Sequence, residues 1–389
     1  SQWSAVIAVK GLLIPGDNAR SPISTSSSIR NCGSCSGVRV DPSVKQGRMR
    51  SSMVAGSQPS TSRNGMPRWT KSPVRTRSEM VPPQAVNDML DRDGSRTPID
   101  FYCGLGLEKQ IHAQVVQAAT KWKRPALKQF NCKIGEGICT DMKAVRKDYF
   151  LDHDHSSYVD QWDWEKVMSE DQRNLDYLKD TVRRIWKVIY GAGKHAQELF
   201  PQLKNDKYPD FPEELTFLHA EEILNMYPDL PRKQRETAIL QKYPAVFIIG
   251  IGWTLKDGYP HEMRAADYDD WVTETITKDG TEMHGLNGDI LVWNPITKRR
   301  HELTSMGIRI TKETLKTQLE MTGQNDFLDL PYHKAILNDE IPLSIGGGIG
   351  QSRTYMYLLR TAHLGEVSVT VWPKILKDMC AKKNIHVLE

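Results

Sequence analysis

Near its C-terminus the chain reads Ser344-Ile-Gly-Gly-Gly-Ile-Gly350 and then Gln351-Ser-Arg-Thr-Tyr-Met-Tyr-Leu-Leu-Arg360. This pattern predicts a glycine-rich turn that leads into a helix with Arg353 in its first turn. Glycine lets the backbone approach an anion closely, amides at a helix N-terminus point at the anion, and a guanidinium adds charge. Neither a Gly-Lys-Ser/Thr sequence nor a dinucleotide fingerprint follows. The segment therefore predicts a polyphosphate-binding junction, with a tight packing turn as the alternative.

Composition describes a globular protein with an unusual distribution of charge. With 389 residues, 39% of them hydrophobic, the chain can bury a substantial core. Residues 1–80 hold a surplus of nine positive charges, so a net charge of +4 leaves about five net negative charges on the remainder. This balance argues against nucleic acid as a partner of the folded part. No apolar run has the length of a membrane span, so no membrane segment is expected.

Two regions differ in composition. Residues 1–82 are rich in Ser, Arg, Pro and Gly, and are predicted to be a disordered or non-family N-terminal extension. A transit-like leader, a regulatory tail and sequence foreign to the protein all remain open for this region. Residues 83–389 are predicted to form one folded domain. The six cysteines follow no disulfide framework, so a cytoplasmic location is expected, or an organelle if the extension is a transit peptide.

Hydrophobic periodicity predicts strands and helices in an order typical of α+β folds. Helical periodicity is strongest over 169–190, where the apolar face includes Leu178, Val182 and Val188. The predicted strands are 98–102, 114–116, 138–145, 157–165, 245–251, 289–293 and 307–310. The other predicted helices are 121–129, 220–226, 232–242, 312–322 and a segment from 351. This order favours a mainly antiparallel sheet flanked by helices.

One predicted strand combines acceptors with aromatic residues. In Ser157-Tyr-Val-Asp-Gln-Trp-Asp-Trp-Glu165, strand alternation places Gln161 and Asp163 on the face opposite the two tryptophans. Such a pair suits an ammonium group together with an amide or carboxyl group, although a solvated strand face is the alternative. Arg146 is placed to reach the same face and to bind phosphate or carboxylate there.

A second set of charged residues lies further along the chain. A hairpin would bring Asp289 and Glu302 together as oxygen ligands for Mg²⁺, although Asp289 also fits a turn residue. Arg309, on the next predicted strand, is expected to receive a substrate carboxylate. Lys123 is a further candidate contact with substrate. The segment 264–271 mixes an arginine with three carboxylates, and its alternative is a salt-bridged surface loop.

Together these segments resemble ammonia-dependent asparagine synthetase, an aspartate–ammonia ligase related to the catalytic core of class II aminoacyl-tRNA synthetases. They cover roughly residues 85–375 in order. The matching stretches are Lys121 to Arg124, Gly135 to Gly137, Met142 to Arg146, His155-Ser156, Tyr158 to Glu165, Tyr227 to Leu230, Arg264 to Trp271, Gly285 to Pro295, Ser305 to Arg309 and Gly346 to Arg353. The resemblance implies that residues 83–389 form a catalytic domain with the class II synthetase fold.

The resemblance also implies roles for individual residues. Arg146 would hold the α-phosphate of ATP and Arg353 would pack on the adenine and outer phosphates, while Asp88 resembles the family's catalytic aspartate. Gln161 is a further catalytic candidate. The substrate-binding candidates are Lys123, Asp163, Arg264, Asp269 and Arg309. The ATP-binding candidates are Arg146, Ser156, Glu302, Ser305, Gly348 and Arg353, and the metal candidates are Asp289 and Glu302.

The implied reaction amidates aspartate with ammonia in two steps, through a β-aspartyl-adenylate, and yields asparagine, AMP and pyrophosphate. ATP and Mg²⁺ are the implied cofactors. A homodimer is expected, although the family's dimer-forming N-terminal elements are not recognisable here. A synthetase for aspartyl- or asparaginyl-tRNA and a non-catalytic descendant are the alternatives. The sequence departs from the family at Gln117-Ala118, where a lost hydroxyl could weaken aspartate binding by about 1 kcal/mol, and at Trp253.

Overall fold

Twelve strands lie within the part of the chain that the computed structural model describes, residues 80–81, 97–106, 108–148, 150–276 and 282–389. Numbered along the chain, they are β1 (Met80–Val81), β2 (Asp100–Cys103), β3 (Ile111–Val115), β4 (Gly137–Val145), β5 (Tyr158–Val167), β6 (Thr216–His219), β7 (Ala245–Ile249), β8 (Glu274–Ile276), β9 (Glu282–His284), β10 (Asn287–Asn294), β11 (Arg299–Ile308) and β12 (Ser344–Gly350).

Seven of these strands form one sheet, in the order β4-β5-β12-β11-β10-β7-β6. Neighbouring strands are antiparallel, except that β6 and β7 run parallel. A second sheet has the order β1-β3-β2, and β8 pairs with β9. The predicted α+β class with a mainly antiparallel sheet is therefore confirmed.

Helices flank the large sheet. Among the described residues they are α1 (Thr120–Gln129), α2 (Leu175–Leu199), α3 (Ala220–Met226), α4 (Arg232–Lys242), α5 (Lys312–Met321), α6 (Pro331–Leu337), α7 (Gln351–Leu358) and α8 (Lys374–Lys382). Over the same residues, no helix combines the length and the apolar character that crossing a membrane requires.

Helix α2 packs on one face of the large sheet and closes the main core. It begins after Asn174, whose side chain accepts a hydrogen bond from the backbone N–H of Tyr177 at 2.9 Å. Its buried stripe contains Leu178, Val182, Trp186 and Ile189, which pack against the core side of the strands. The prediction that Val188 faces this core was wrong, because Val188 lies at the margin of the stripe and is 42% exposed.

Residues 344–350 form an interior strand of the large sheet, β12, so the predicted turn at this position was wrong. The strand pairs with β5 on one side and β11 on the other. A Cβ atom on Gly346 would overlap Oε2 of Glu165, and one on Gly347 would lie 2.5 Å from Cβ of Met306. The glycines therefore make room for buried side chains of the neighbouring strands. Helix α7 still begins directly after them, at Gln351.

His219 caps the N-terminus of α3 with its imidazole ring. Its Nδ1 accepts a hydrogen bond from the backbone N–H of Glu221 at 3.0 Å, while Nε2 lies 2.8 Å from the carbonyl oxygen of His284. Only the neutral ring with its hydrogen on Nε2 can make both bonds. Burial disfavours the charged ring as well, and it lowers the pKa of His219 to about 4.

We expect the protein to lose stability as the pH falls from about 6.5 towards 4, because His219 binds a proton there only in the unfolded chain. The loss should approach about 1.4 kcal/mol per pH unit from this group. A His219→Asn variant keeps a capping acceptor that does not titrate, so its unfolding free energy, measured in urea, should depend less on pH. His386→Asn, at an exposed position, is the control. Parallel pH profiles for wild type and His219→Asn would contradict the expectation.

Candidate active site

A cavity of about 580 Å³ opens on the face of the sheet opposite α2. Strands β5, β12, β11 and β10 contribute to its lining. The predicted site residues that line it are Arg146, Ser156, Gln161, Asp163, Arg264, Asp269, Asp289, Glu302, Ser305, Arg309, Gly348 and Arg353. Lys123 lies behind this lining, in contact with Asp163. Asp88 lies outside the described residues.

Asp163 is the buried carboxylate at one end of the cavity. Lys123 donates hydrogen bonds from Nζ to Oδ1 of Asp163 at 3.1 Å and to the carbonyl oxygen of Gly347 at 3.0 Å. Oδ2 of Asp163 is buried and has no hydrogen-bond partner among the described residues. A buried carboxylate oxygen without a partner is costly unless a ligand supplies a donor. This end of the cavity is therefore suited to a cationic group.

Arg309 lies one residue beyond β11 and is buried between two carboxylates. It donates from Nη2 to Oε2 of Glu165 at 2.8 Å, and from Nη1 to Oδ1 of Asp269. Although burial works against its charge, these carboxylates raise the pKa of Arg309 above its ordinary value. The strand predicted over 307–310 ends earlier, at Ile308, and Arg309 forms an isolated antiparallel backbone bridge with Asp269 instead. Arg309 thus already has protein carboxylates on two sides.

Three carboxylates meet at the opposite end of the cavity. Side-chain oxygens of Glu262, Asp289 and Glu302 all lie within 4.8 Å of one another. Burial, reinforced by repulsion from Glu302 and Glu262 and opposed by Arg264, raises the pKa of Asp289 to about 7. Arg264 donates a hydrogen bond from Nη2 to Asp289. Sequence reasoning missed Glu262, which lies in an irregular segment with no period to indicate its direction.

An irregularity in the β10–β11 hairpin puts Asp289 and Glu302 on the same face. Asp289 pairs with Ser305, but the register shifts after Ile290, so Leu291 pairs with Glu302. Without this bulge, Glu302 would pair with the next residue of β10 and point to the opposite face. The predicted approach of the two acids therefore depends on one unpaired residue in β11.

Two arginines lie in the remaining part of the cavity. Arg353, in the first turn of α7, donates to the carbonyl oxygens of Asp154 at 3.3 Å and Glu302 at 3.4 Å. Arg146 donates from Nε to the carbonyl oxygen of Gln117 at 3.0 Å. Both guanidinium groups are thus held by backbone oxygens at the cavity wall, and they can meet an anion there.

The two departures from the family pattern have local structural consequences. Gln117 is buried and its carbonyl oxygen orients Arg146, while Ala118 lines the cavity. Trp253 stacks on the ring of His284, with ring centroids 3.8 Å apart. Beside it, Gly252 has a φ of +108°, a conformation that L side chains rarely adopt. The turn therefore accommodates Trp253, because Gly252 still occupies the position that needs a positive φ.

A second depression, of about 1100 Å³, lies against α8 near the C-terminus. Its charged side chains pair with each other at exposed positions, as in the ion pairs of Lys374 with Asp378 and Lys377 with Glu389, both at 2.7 Å. Exposed pairs of this kind are common and contribute little. The convergent, buried charges that indicate chemistry lie in the sheet cavity instead.

Aspartate–ammonia ligases are the proteins to which this chain is similar in sequence. The family model for aspartate-ammonia ligase matches residues 73–384. The chain belongs to this family. Aspartate–ammonia ligases of two Bacteroides fragilis strains, ATCC 25285 and YCH46, are each 45% identical to it over 304 residues, which cover 78% of this chain and 84% of each relative. The predicted enzyme class, a ligase of aspartate and ammonia, is confirmed.

Class II tRNA synthetases share the fold of this ligase. The asparaginyl-tRNA synthetase of Pyrococcus horikoshii, complexed with asparaginyl-adenylate, matches with a TM-score of 0.54 and 13% identity over 75% of this chain and 64% of that chain. The Entamoeba histolytica asparaginyl-tRNA synthetase in complex with asparaginyl-adenylate matches at 0.51 and 12%, over 72% and 60%. The ligase thus spans less than two thirds of these synthetases. At this identity the likeness shows the fold alone, and it confirms the predicted class II architecture.

Proposed function

We propose that this aspartate–ammonia ligase works through an adenylate. An oxygen of the aspartate side-chain carboxylate attacks the α-phosphorus of ATP, and the bond to the pyrophosphate oxygen breaks. Ammonia nitrogen then attacks the β-carbonyl carbon, and the bond to the AMP oxygen breaks to give asparagine. The observation that supports this proposal is one cavity that is lined by an unpaired buried carboxylate oxygen, a carboxylate cluster and two arginines held by backbone oxygens.

Aspartate is proposed to bind at the Asp163 end. Its ammonium group would donate to Oδ2 of Asp163, the buried oxygen that has no partner in the described structure. Gln161 lies two residues earlier on the same strand face and lines the same cavity. Lys123 is fully buried behind Asp163, so we assign it to holding this carboxylate in place. Arg264, which lines the cavity, would receive a substrate carboxylate.

The nucleotide is proposed to lie between the two arginines. Arg146 would contact the α-phosphate, where negative charge builds up during attack by aspartate, and Arg353 would pack on the adenine and outer phosphates. Ser156, Ser305 and Gly348 line the same cavity. Because backbone carbonyl oxygens already orient both guanidinium groups, little reorganisation is needed when the phosphates bind.

The residues of the acidic cluster fit a divalent cation. Carboxylate oxygens are the ligands that Mg²⁺ prefers, and Glu262, Asp289 and Glu302 supply three within reach of one ion. Burial and then the neighbouring Glu302 and Glu262 raise the pKa of Asp289, and a bound cation would favour its charged form. When bound, Mg²⁺ would neutralise phosphate charge and polarise the phosphorus under attack.

The second step needs a proton acceptor, because ammonium is the abundant form of ammonia at neutral pH. Asp269 is buried, lines the cavity and contacts Arg309. We propose that it forms one wall of the ammonia site. Asp88, which lies outside the described residues, stays the predicted acceptor of the proton.

The adenylate is tested by isotope exchange. Purified protein with aspartate, ATP and Mg²⁺ but no ammonia should exchange labelled pyrophosphate into ATP, and ammonium should then convert the complex to asparagine and AMP in equal amounts. Exchange that does not require aspartate, or release of ADP, would reject the proposal. Glutamine in place of ammonium is the control for the nitrogen source.

Gly348→Ala should weaken aspartate binding. A Cβ atom there would lie 2.7 Å from Oδ1 of Asp163 and 3.1 Å from Oε1 of Gln161, so both side chains must shift. We expect the KM for aspartate to rise about tenfold, the cost of one charge-assisted hydrogen bond. Gly350→Ala is a matched control, because its nearest atom, the carbonyl oxygen of Leu303, is 3.4 Å away. Equal KM values for the two variants would contradict the expectation.

A further inference from the structure

Three basic side chains line the acidic end of the cavity and have no part in the scheme above. They are Arg232 and Lys233, the first two residues of α4, and Arg300 on β11. Their side chains are between 21% and 42% exposed, so a solute in the cavity can reach them. A surface ion-pair network is the simplest explanation for such residues. Their contacts decide between that explanation and a binding site.

Glu262 links these cations to the carboxylate cluster. It lies 3.4 Å from Nζ of Lys233 and 3.6 Å from Nη2 of Arg232, which are both long contacts. Nε of Arg232 is buried and has no hydrogen-bond partner within the described residues. The same Glu262 carboxylate belongs to the cluster with Asp289 and Glu302. Once Glu262 ligates a cation with these two acids, it no longer neutralises Lys233 and Arg232.

Arg300 is held in place from behind. Its Nε lies 2.8 Å from Oε2 of Glu236, which is buried and also lies 3.1 Å from Nε2 of the buried His261. His261 and Arg300 keep the pKa of Glu236 at about 2 despite its burial, so its charge is permanent at neutral pH. A guanidinium fixed by a buried anion is already oriented before a ligand arrives.

We propose that Arg232, Lys233 and Arg300 form a subsite for a diphosphate group: the two outer phosphates of ATP and then the pyrophosphate product. The proposal rests on the proposed function, because it takes ATP as the substrate and the acidic cluster as the cation site. Phosphates that share this cation lie next to the three basic side chains, and they replace Glu262 as the anionic partner of Arg232 and Lys233. The subsite does not touch the α-phosphate, so it distinguishes ATP and pyrophosphate from AMP.

Calorimetric titrations with ATP, pyrophosphate and AMP, each with Mg²⁺, test this subsite. Lys233→Gln and Arg300→Gln should each weaken the binding of ATP and pyrophosphate about tenfold, the loss of one charged contact, and leave AMP binding within about twofold. The matched controls are Lys242→Gln on the same helix and Arg299→Gln on the same strand, both at exposed positions outside the cavity lining. Thermal unfolding of each variant checks that it is folded.

The outcomes separate the subsite from the proposed function. If both variants bind ATP as tightly as wild type, or lose AMP and ATP affinity equally, the subsite is overturned while ATP use stands. If wild-type protein binds neither ATP nor AMP, the proposed function fails and the subsite fails with it. Arg300→Lys keeps the charge and should recover part of the pyrophosphate affinity, which a merely structural role for Arg300 does not predict.

Discussion

Asp163→Asn should reduce kcat/KM for aspartate about a thousandfold. The substitution keeps the shape of the side chain. It removes the negative charge of Asp163, which we propose binds the ammonium group of the substrate aspartate. Asp163 is 2% exposed, and leaving one member of a buried charge pair without its partner costs about 3–5 kcal/mol. Steady-state asparagine formation over a range of aspartate concentrations measures the loss.

A second measurement separates this effect from misfolding. Lys123 keeps its bond to the Gly347 carbonyl oxygen and lies 4.0 Å from Glu165, so the variant retains partners for the buried ammonium. ATP binding by Asp163→Asn should therefore stay close to wild type. Asp171→Asn, at an exposed position, controls for the loss of a charge. A KM for aspartate within about twofold of wild type would show that Asp163 does not bind the substrate ammonium.

The sequence was informative where a local period decides the direction of a side chain. Strand alternation alone placed Gln161 and Asp163 opposite the tryptophans, and the structure has both acceptors in the cavity and Trp162 and Trp164 in the core. The helix and strand order similarly sufficed for the α+β class, because each of these elements carries its own periodic pattern.

The sequence was less informative where a neighbouring strand decides the conformation. Glycine runs favour turns in isolation, yet β12 is a strand because β5 and β11 supply partners on both sides and place buried side chains against it. The bulge that brings Glu302 to the face of Asp289 depends on the register of a hairpin, which no residue type in β11 specifies alone.

Charge networks were the hardest feature to anticipate. Arg309 was expected to bind a carboxylate of the substrate. In the structure it binds two protein carboxylates, those of Glu165 and Asp269, which lie 144 and 40 residues away in the sequence. Glu262 and the three basic residues of the proposed subsite were not singled out, because isolated charged residues usually lie on the surface. Only the folded chain shows that they meet in one cavity.

Arg309→Met should lower the free energy of unfolding by about 3–5 kcal/mol. The substitution has similar length but leaves Glu165 and Asp269, both almost completely buried, without the guanidinium that neutralises them. Guanidinium chloride unfolding followed by tryptophan fluorescence measures the change. Arg184→Met, an exposed position on α2, should change stability by less than about 0.5 kcal/mol.

The cause of the loss can be tested by removing a second charge. In the double variant Glu165→Gln/Arg309→Met only Asp269 is left without its buried partner, so part of the lost stability should return. Arg309→Lys should fall between wild type and Arg309→Met, because a single ammonium cannot bridge two carboxylates as a guanidinium does. If the free energy of unfolding of Arg309→Met is within about 1 kcal/mol of the wild-type value, the buried carboxylates are solvated or neutralised in another way. In that case Arg309 does not hold Asp269 in place at the proposed wall of the ammonia site.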